Sequence, residues 1–285
     1  EGSIKVINHA SCPVVWLGFG FDYYPLIFDD SFSHFQSKTA LLHNEFIKQQ
    51  NQKIELKIKK FIKRIIPQLF IYSSKYPYLQ LIKSGKINFF APVIKPEYDL
   101  LKNKFMINNF PEYVDFSFGS GYASDEDFYS KIQITGNNIL LGNSASFTNN
   151  HIEAIDIIAR YIKNKSSKVI VPINYGDEFY KSRVLLYGEK FLGSNFEPIL
   201  DFMDKKDYFL KISSCSICIM NHLRQQAFGN ISMMLLFGAK VFLNDNSILY
   251  QYLKELGFFV YSIDEICQSG DQAFTDLTTN EKYVN

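Results

Sequence analysis

The sequence predicts an α/β fold built on parallel sheets, and two observations predict it. Short apolar runs of strand length recur, each ending in a loop with glycine or asparagine, and amphipathic stretches of helix length separate them. From residue 139 onward the alternation of strand and helix is regular, which specifies a parallel sheet with helices on both faces. A length of 285 residues accommodates about two domains of ordinary size.

Composition narrows the class. Hydrophobic residues make up 47% of the chain and charged residues 21%, a globular rather than disordered balance. Thirty Lys+Arg against 29 Asp+Glu leave a net charge of +1. That excludes a global basic surface for nucleic-acid binding, though not a local patch. No apolar run approaches the ~18 residues of a membrane-spanning helix, and no signal-peptide pattern is visible. Cys12, Cys215, Cys218 and Cys267 are too few for a disulfide scaffold and fit a reducing compartment.

In the first half, Pro13 to Gly20 is an apolar run ending in glycines, and reads as a buried strand entering a loop. Asp22, Tyr23 and Tyr24 follow. Ligands of open α/β sheets bind beyond the carboxyl ends of strands, so this loop is a candidate site. Residues 53–69 place Ile54, Ile58, Phe61, Ile62, Ile65, Ile66 and Leu69 at helical spacing. Between them lie Lys53, Lys57, Lys59, Lys60, Lys63 and Arg64, opposed only by Glu55. This basic amphipathic helix either docks on an anionic membrane surface through Lys57, Lys60, Lys63 and Arg64, or packs on the core with its basic face solvated. Residues 87–94 and 113–118 read as strands. Gly119-Ser120-Gly121 and Asp125-Glu126-Asp127 read as a linker, which divides the chain into domains 1–128 and 129–285.

The second half gives each element in turn. Ile139 to Leu141 is a strand entering the loop Gly142-Asn143-Ser144, and residues 151–163 form a helix with Ile152, Ile155, Ile158, Ala159 and Ile162 on one side. A strand at 169–173 exits through Asn174-Tyr175-Gly176 to a helix at 177–191. A short strand at 198–202, a helix at 204–212 and a strand at 216–220 follow. A helix is expected from Asn221 to Phe237, then a strand at 240–243, a helix at 247–256 and a strand at 258–261. This half reads as a Rossmann-like domain.

Three of its loops, Gly142-Asn143-Ser144, Asn174-Tyr175-Gly176 and Asn221-His222, leave carboxyl ends of parallel strands and so open on one edge of the sheet. Each alone is an ordinary capped turn; the conjunction of three points to a ligand site. A helix starting at Asn221 presents free N–H groups and a partial positive charge suited to a diphosphate. Arg224 adds a bidentate contact to phosphate oxygens. His222, Gln225, Gln226 and Asn230 supply polar groups there, and Gly229 permits close approach. The alternative is a polar, solvated first turn. His151 and Glu153 open the helix after the first loop, capped by Asn149 or Asn150. Such a histidine is commonly a helix-end hydrogen bonder, but its place beside Gly142-Asn143-Ser144 makes it a site candidate.

Cys215-Ser216-Ile217-Cys218 has metal-site spacing but no second Cys or His pair, and it enters a strand rather than a helix, so it reads as two structural thiols. Asp125-Glu126-Asp127 has the DxD form of metal-dependent nucleotide-sugar enzymes, but it lies in the linker rather than after an apolar strand. It reads as solvated charge or a helix cap, and neither a metal nor a cofactor is expected. No Walker loop, HExxH helix or GxSxG elbow is present.

Four stretches carry a family resemblance: VVWLGFGFDYY (14–24), ILLGNSASFTNNHIEAI (139–155), VIVPINYGDEFY (169–180) and NHLRQQAFGNISMMLLFGAKVFL (221–243). In order along the chain, they resemble the TDP-N-acetylfucosamine:lipid II N-acetylfucosaminyltransferase family, 4-alpha-L-fucosyltransferase-like enzymes of glycosyltransferase family 56. The long NHxRQQAxGN segment is the specific part; residues 30–85 match only by position. The resemblance implies a GT-B glycosyltransferase, with two Rossmann-like domains facing across a cleft, donor in the C-terminal one and acceptor in the N-terminal one. Family members move 4-acetamido-4,6-dideoxygalactose from a dTDP donor to an undecaprenyl-diphosphate-linked disaccharide of enterobacterial common antigen. They work in the bacterial cytoplasm, at the cytoplasmic face of the inner membrane.

By this resemblance Gly142, Asn143, Ser144, His151, Tyr175, Gly176, Asn221, His222, Gln225, Gln226, Gly229 and Asn230 bind the donor. Arg224 stabilises charge on the departing diphosphate. Asp22 is the candidate general base, with loop capping as its alternative. Other nucleotide sugars, other acceptors and a non-catalytic glycan-binding role stay open. The family also carries several βα units before the strand matching Pro13–Gly20, and Glu1 is not a natural start, so the first domain is expected to be cut short.

Overall fold

The computed structural model describes residues 6–7, 9–28, 34–61, 77–116, 126–162 and 166–285. The chain forms two compact units: Glu1–Ser31 with His43–Phe118, and Phe32–Leu42 with Gly119–Asn285.

The first unit carries a parallel sheet of β1 (Val15–Leu17), β2 (Phe89–Ala91) and β3 (Glu112–Tyr113), in that order. Of the strand expected over 113–118, Tyr113 lies in β3, residues 114–116 follow it outside any strand, and 117–118 lie outside the described residues. Four helices belong here: α1 (Tyr24–Ile27), most of α2 (Ser37–Phe61), α3 (Pro77–Lys83) and α4 (Lys95–Phe105). Trp16 stacks on Phe90 with ring centroids 4.4 Å apart, and Tyr23, Leu26, Ile82 and Leu101 close the core around them. Gly18 is required by this packing: a Cβ there would meet the Tyr23 ring at 2.5 Å.

The expected basic helix at 53–69 is in part the end of α2. Lys57 and Lys60 lie on α2; Lys63, Arg64 and the rest to residue 76 lie outside the described residues, as does the expected linker through Asp125.

The second unit is a six-stranded parallel sheet of order β6-β5-β4-β7-β8-β9. Its strands are β4 (Asn138–Leu141), β5 (Val169–Pro172), β6 (Phe196–Ile199), β7 (Cys215–Met220), β8 (Lys240–Leu243) and β9 (Val260–Ser262). The central strands read as nearly unbroken apolar runs because both faces are covered, and β5 and β8 are buried at every residue. The covering helices are α5 (Glu126–Tyr129), α6 (His151–Ile162), α7 (Glu178–Leu192), α8 (Lys205–Ile212), α9 (Phe228–Leu236), α10 (Ile248–Glu255), α11 (Ile263–Ser269) and α12 (Thr279–Val284). On α6, Ile152, Ile155, Ile158, Ala159 and Ile162 are buried at helical spacing, each isoleucine stabilising the fold by about 2 kcal/mol. Side-chain caps start α7 (Asp177), α8 (Asp204) and α10 (Ser247).

Three expectations are corrected. The short strand of 198–202 forms two residues earlier, as β6, where Phe196–Ile199 pair with β5. The helix expected from Asn221 begins at Phe228 instead. Residues 221–227 form a loop in which Ala227 takes a left-handed φ of 57°. The carboxamides of Asn221 and Gln226 bond to groups far away in sequence, and those bonds override the helix propensity of Leu-Arg-Gln-Gln-Ala. Finally, residues 34–42, expected within the first domain, pack with the second unit. There Glu153 of α6 accepts both the Thr39 N–H (2.8 Å) and the Thr39 hydroxyl (2.6 Å), so a carboxylate caps the start of α2.

Candidate functional site

In the second unit the chain runs from β4 outward to β5 and β6, then returns to place β7 on the other side of β4. The exit loops of β4 and β7 therefore flank the topological switch point at the carboxyl ends of the strands, the position of the ligand crevice in an open α/β sheet, and side chains of both loops bond across it.

Asn149 organises the crevice. Its Nδ2 donates to the Ser144 carbonyl (2.9 Å) and hydroxyl (3.2 Å), so its Oδ1 is the acceptor end. That oxygen takes the Asn143 N–H at 3.0 Å and the His222 ring at 2.8 Å. His222 must then carry its proton on Nε2, leaving the Nδ1 lone pair free of any protein donor among the described residues. Burial holds the His222 pKa well below the ordinary range, with the Arg224 charge and then His151 adding to the effect. His151 is also fully buried; burial pushes its pKa down to about 3, and neither ring nitrogen has a hydrogen-bond partner among the described residues. Its backbone N–H donates to the Tyr180 hydroxyl at 3.0 Å.

Glycine is obligatory at the hinge of this arrangement. Gly142 has φ of 68°, and a Cβ there would lie 2.4 Å from His151 Nε2 and 2.9 Å from Asn149 Oδ1. Gly176, at φ 129°, would drive a Cβ into the Ala145 backbone at 2.5 Å. Ala145 and Gly176 form a parallel bridge, with Ala145 N bonded to Tyr175 O (2.7 Å) and Asp177 N to Ala145 O (2.8 Å).

A second set of contacts runs toward solvent. Thr148 donates to Gln226 Oε1 (2.6 Å), Gln226 Nε2 to Asn143 Oδ1 (3.0 Å), and Asn143 Nδ2 to the Tyr175 hydroxyl (3.2 Å). Of these, Asn143 and Tyr175 border a cleft of about 220 Å³ that Asp201, Phe202, Tyr208 and Asn230 also line. Asn230, in the first turn of α9, donates to Tyr208 Oη at 3.1 Å. Tyr175 is 58% exposed and Phe202 89%, so two aromatic rings stand open beside the cleft.

Among the expected donor-binding residues, Gly142, Asn143, Ser144, His151, Tyr175, Gly176, Asn221, His222, Gln225 and Gln226 lie on the loops around this crevice or at the helix start beside it, and Gly229 and Asn230 open α9. They divide by exposure. Ser144, His151, Asn221, His222 and Gln225 are buried and build the walls. Asn143, Tyr175 and Asn230 border the open cleft. Asn221 is wholly committed: its amide exchanges bonds with Gln36, donates to Asn150 O and accepts from Asn244. Arg224 is half-buried in the loop before α9, not in a helical turn.

Asp22 lies in the first unit, where its carboxylate accepts from Trp16 Nε1 (2.7 Å) and from Phe19 N (3.0 Å). Those bonds give it the loop-capping role. Cys215 and Cys218 are both buried on β7; burial pushes the Cys215 thiol up to about 12 and raises Cys218 likewise. No group of three or more His, Cys, Asp and Glu able to hold a metal occurs among the described residues.

Sequence reasoning missed Asn149 as more than a cap, and missed Gln36, Thr148, Asn244 and Phe202 altogether. The Thr148-Asn149-Asn150 run was the one available signal: polar residues without charge ahead of an apolar helix.

Comparison with solved structures shows the same fold at low identity. The OtsA apo structure matches with a TM-score of 0.55 and 9% identity, over 76% of this chain and 59% of that one. The Candida albicans trehalose-6-phosphate phosphatase N-terminal domain matches with a TM-score of 0.50 and 10% identity, over 69% of this chain and 52% of that one. The chain thus spans between half and three fifths of the length of these structures. The fold is GT-B-like, the α/β class with parallel sheets. Within it, the model of the 4-alpha-L-fucosyltransferase family, glycosyl transferase group 56, matches residues 123–273, more than half of the chain. The chain belongs to that family.

Proposed function

We propose that this protein transfers a 4-acetamido-4,6-dideoxygalactose-like sugar from a dTDP donor to a polyprenyl-diphosphate-linked saccharide in bacterial surface-glycan synthesis. The observation that carries the reading is the switch-point crevice, with its neutral buried walls, one nearby arginine and an aromatic-edged cleft, in a chain of this family. The nucleotide base lies against Tyr175 and Phe202. The diphosphate meets Arg224 and the N–H groups that open α9 around Gly229 and Asn230, now at Phe228 rather than Asn221.

The acceptor hydroxyl attacks the anomeric carbon as the bond to the diphosphate oxygen breaks, and the nucleoside diphosphate departs with the electron pair. Arg224 stabilises that charge. The hydroxyl's proton goes to a general base; Asp22 is the candidate, through the lone pairs its two structural bonds leave. Lys57, Lys60, Lys63 and Arg64 hold the protein against anionic lipid at the cytoplasmic face of the inner membrane. Among the described residues no helix is long and apolar enough to cross a membrane.

The test is a donor panel. Binding and transfer are measured with dTDP-, UDP- and GDP-sugars on a polyprenyl-diphosphate saccharide. The dTDP-sugar is expected to bind and to be transferred; preference for another base moves the donor assignment, and absence of all transfer leaves a glycan-binding role. Arg224→Ala is expected to lower turnover by about 10²–10³-fold with melting unchanged. Retained turnover at unchanged donor affinity removes Arg224 from the mechanism.

A further inference from the structure

We infer that Gln36, which lies far outside the β4 and β7 loops in sequence, is a positioning residue for the Asn221–Ala227 loop. The inference rests on the proposed donor site above but is tested by a measurement that needs no donor.

Residues 34–39 lie across the crevice end of the second unit, held there by polar bonds and by the Phe35 ring beside Phe147, with centroids 6.0 Å apart. The Gln36 N–H donates to Asn150 Oδ1 at 2.8 Å, and Asn150 Nδ2 returns a bond to the His34 carbonyl at 3.2 Å. The Gln36 and Asn221 side chains then form a reciprocal carboxamide pair. Asn221 Nδ2 donates to Gln36 Oε1 at 2.8 Å, and Gln36 Nε2 donates to Asn221 Oδ1 at 3.3 Å. Asn244, at the exit of β8, donates to the same Asn221 oxygen at 2.9 Å. Asn150 Nδ2 also holds the Asn221 carbonyl at 2.9 Å.

Asn221 is therefore a fixed post at the end of β7, and the loop carrying His222, Arg224, Gln225 and Gln226 hangs from it. Gln36 supplies two of the five bonds that fix it. Asn221 is fully buried, so removing Gln36 leaves a buried amide donor without that acceptor, and reorienting the Asn221 amide breaks the Asn244 bond. The consequence falls on the direction in which the loop leaves the strand, and hence on Arg224.

The pair also predicts a specific chemistry for one substitution. In Gln36→Glu the ionised carboxylate still accepts from Asn221 Nδ2 but opposes Asn221 Oδ1, two acceptors face to face. Once protonated, the carboxylic acid has one donor and one acceptor and reproduces the carboxamide pattern. Activity of this variant relative to wild type therefore rises as pH falls. The other ionisable groups around the pair are His34 and Lys38 on the same segment, Glu153 and Asp156 on α6, Tyr180 and Tyr187 on α7, and His151, His222 and Arg224 across the crevice. All are present in both proteins, so the ratio removes their own titrations and leaves that of the carboxyl at position 36 with its coupling to them.

The experiment uses the full chain in three forms: wild type, Gln36→Leu and Gln36→Glu. Amide exchange of residues 222–227 is followed by mass spectrometry without ligand, alongside that of β5 as an internal control. Gln36→Leu is expected to speed exchange in 222–227 at least tenfold while β5 is unchanged. With dTDP-sugar, it is expected to raise the donor KM about tenfold or more with a smaller change in kcat, at every pH. Gln36→Glu is expected to match that defect at pH 8 and to recover at least threefold toward wild type by pH 5.5. Unchanged loop exchange in Gln36→Leu overturns the inference even if no sugar donor binds. Equal, pH-independent defects in both variants also overturn it, because they indicate a merely structural contact. Absence of donor binding in wild type with faster loop exchange in Gln36→Leu overturns the function proposed above and leaves the positioning role standing.

Discussion

The imidazole of His222 donates its Nε2 proton to Asn149 Oδ1 across 2.8 Å, joining the exit of β7 to the exit of β4. The same oxygen accepts the Asn143 N–H, so one carboxamide fixes both a ring tautomer and a backbone amide. Substituting Asn149→Leu removes the partner of the His222 N–H, the Asn143 N–H and the Ser144 carbonyl together. Each buried group left unpaired costs about 1–3 kcal/mol. A loss of about 3 kcal/mol or more in denaturant unfolding is expected, and a change below about 1 kcal/mol removes Asn149 from its organising role.

Stability is expected to fall in mild acid because of two histidines. His151 titrates near 3 and His222 well below its usual range in the folded protein, while both titrate near 6.5 unfolded. The unfolded chain therefore takes up protons that the folded one refuses. Their contribution is complete above pH 6.5 and is lost as pH falls from 6.5 toward 3. Through that window His151 costs about 1.4 kcal/mol per pH unit, and His222 acts in the same direction. Unfolding curves at pH 7, 6 and 5 check this, and His151→Leu should flatten the slope. A wild-type stability that is level from pH 7 to 5 contradicts the neutral, buried state.

Gly142→Ala combines two penalties. A left-handed φ of 68° costs a side-chain-bearing residue about 1–2 kcal/mol, and the new methyl group overlaps His151 Nε2. A net loss of about 2–4 kcal/mol is expected, read as a lowered melting temperature. Gly85→Ala is the control: its φ of 67° carries the same backbone strain, but nothing lies within 4 Å of a Cβ there. If the two variants melt alike, the close approach of His151 is not what demands glycine at 142.

The four thiols should divide into pairs by reactivity. Cys12 and Cys267 are exposed, whereas Cys215 and Cys218 are buried with raised thiol pKa values. A thiol-disulfide reagent at pH 8 is expected to modify two cysteines quickly and the other two only after denaturation. Four fast-reacting thiols in the native protein would show that β7 opens readily.

Much of the second unit was legible because its signals are local. The strands at 139–141, 169–172, 216–220 and 240–243 are apolar runs with nothing to compete against burial, and α6 announces itself through five buried residues at helical spacing. The start of α9 was not legible, since Leu223 to Ala227 are good helix formers and only distant partners make them a loop. Gln36 and Asn221 are 185 positions apart, and no pattern within either neighbourhood reveals the pair. The site candidates were found as a group because exit loops of parallel strands must share an edge. Which of them face a ligand and which face one another depends on burial, and Ser144 and Asn221 differ in this from Asn143 by packing rather than by residue type.

The bridge between Ala145 and Gly176 has a practical consequence for anyone recombining members of this family. Two backbone bonds lock the β4 and β5 exit loops into a single cassette, and Gly176 leaves no space for any side chain at the seam. An exchange of residues 142–150 with those of a relative must therefore carry 174–177 with them, or the chimera will present two half-loops that do not fit.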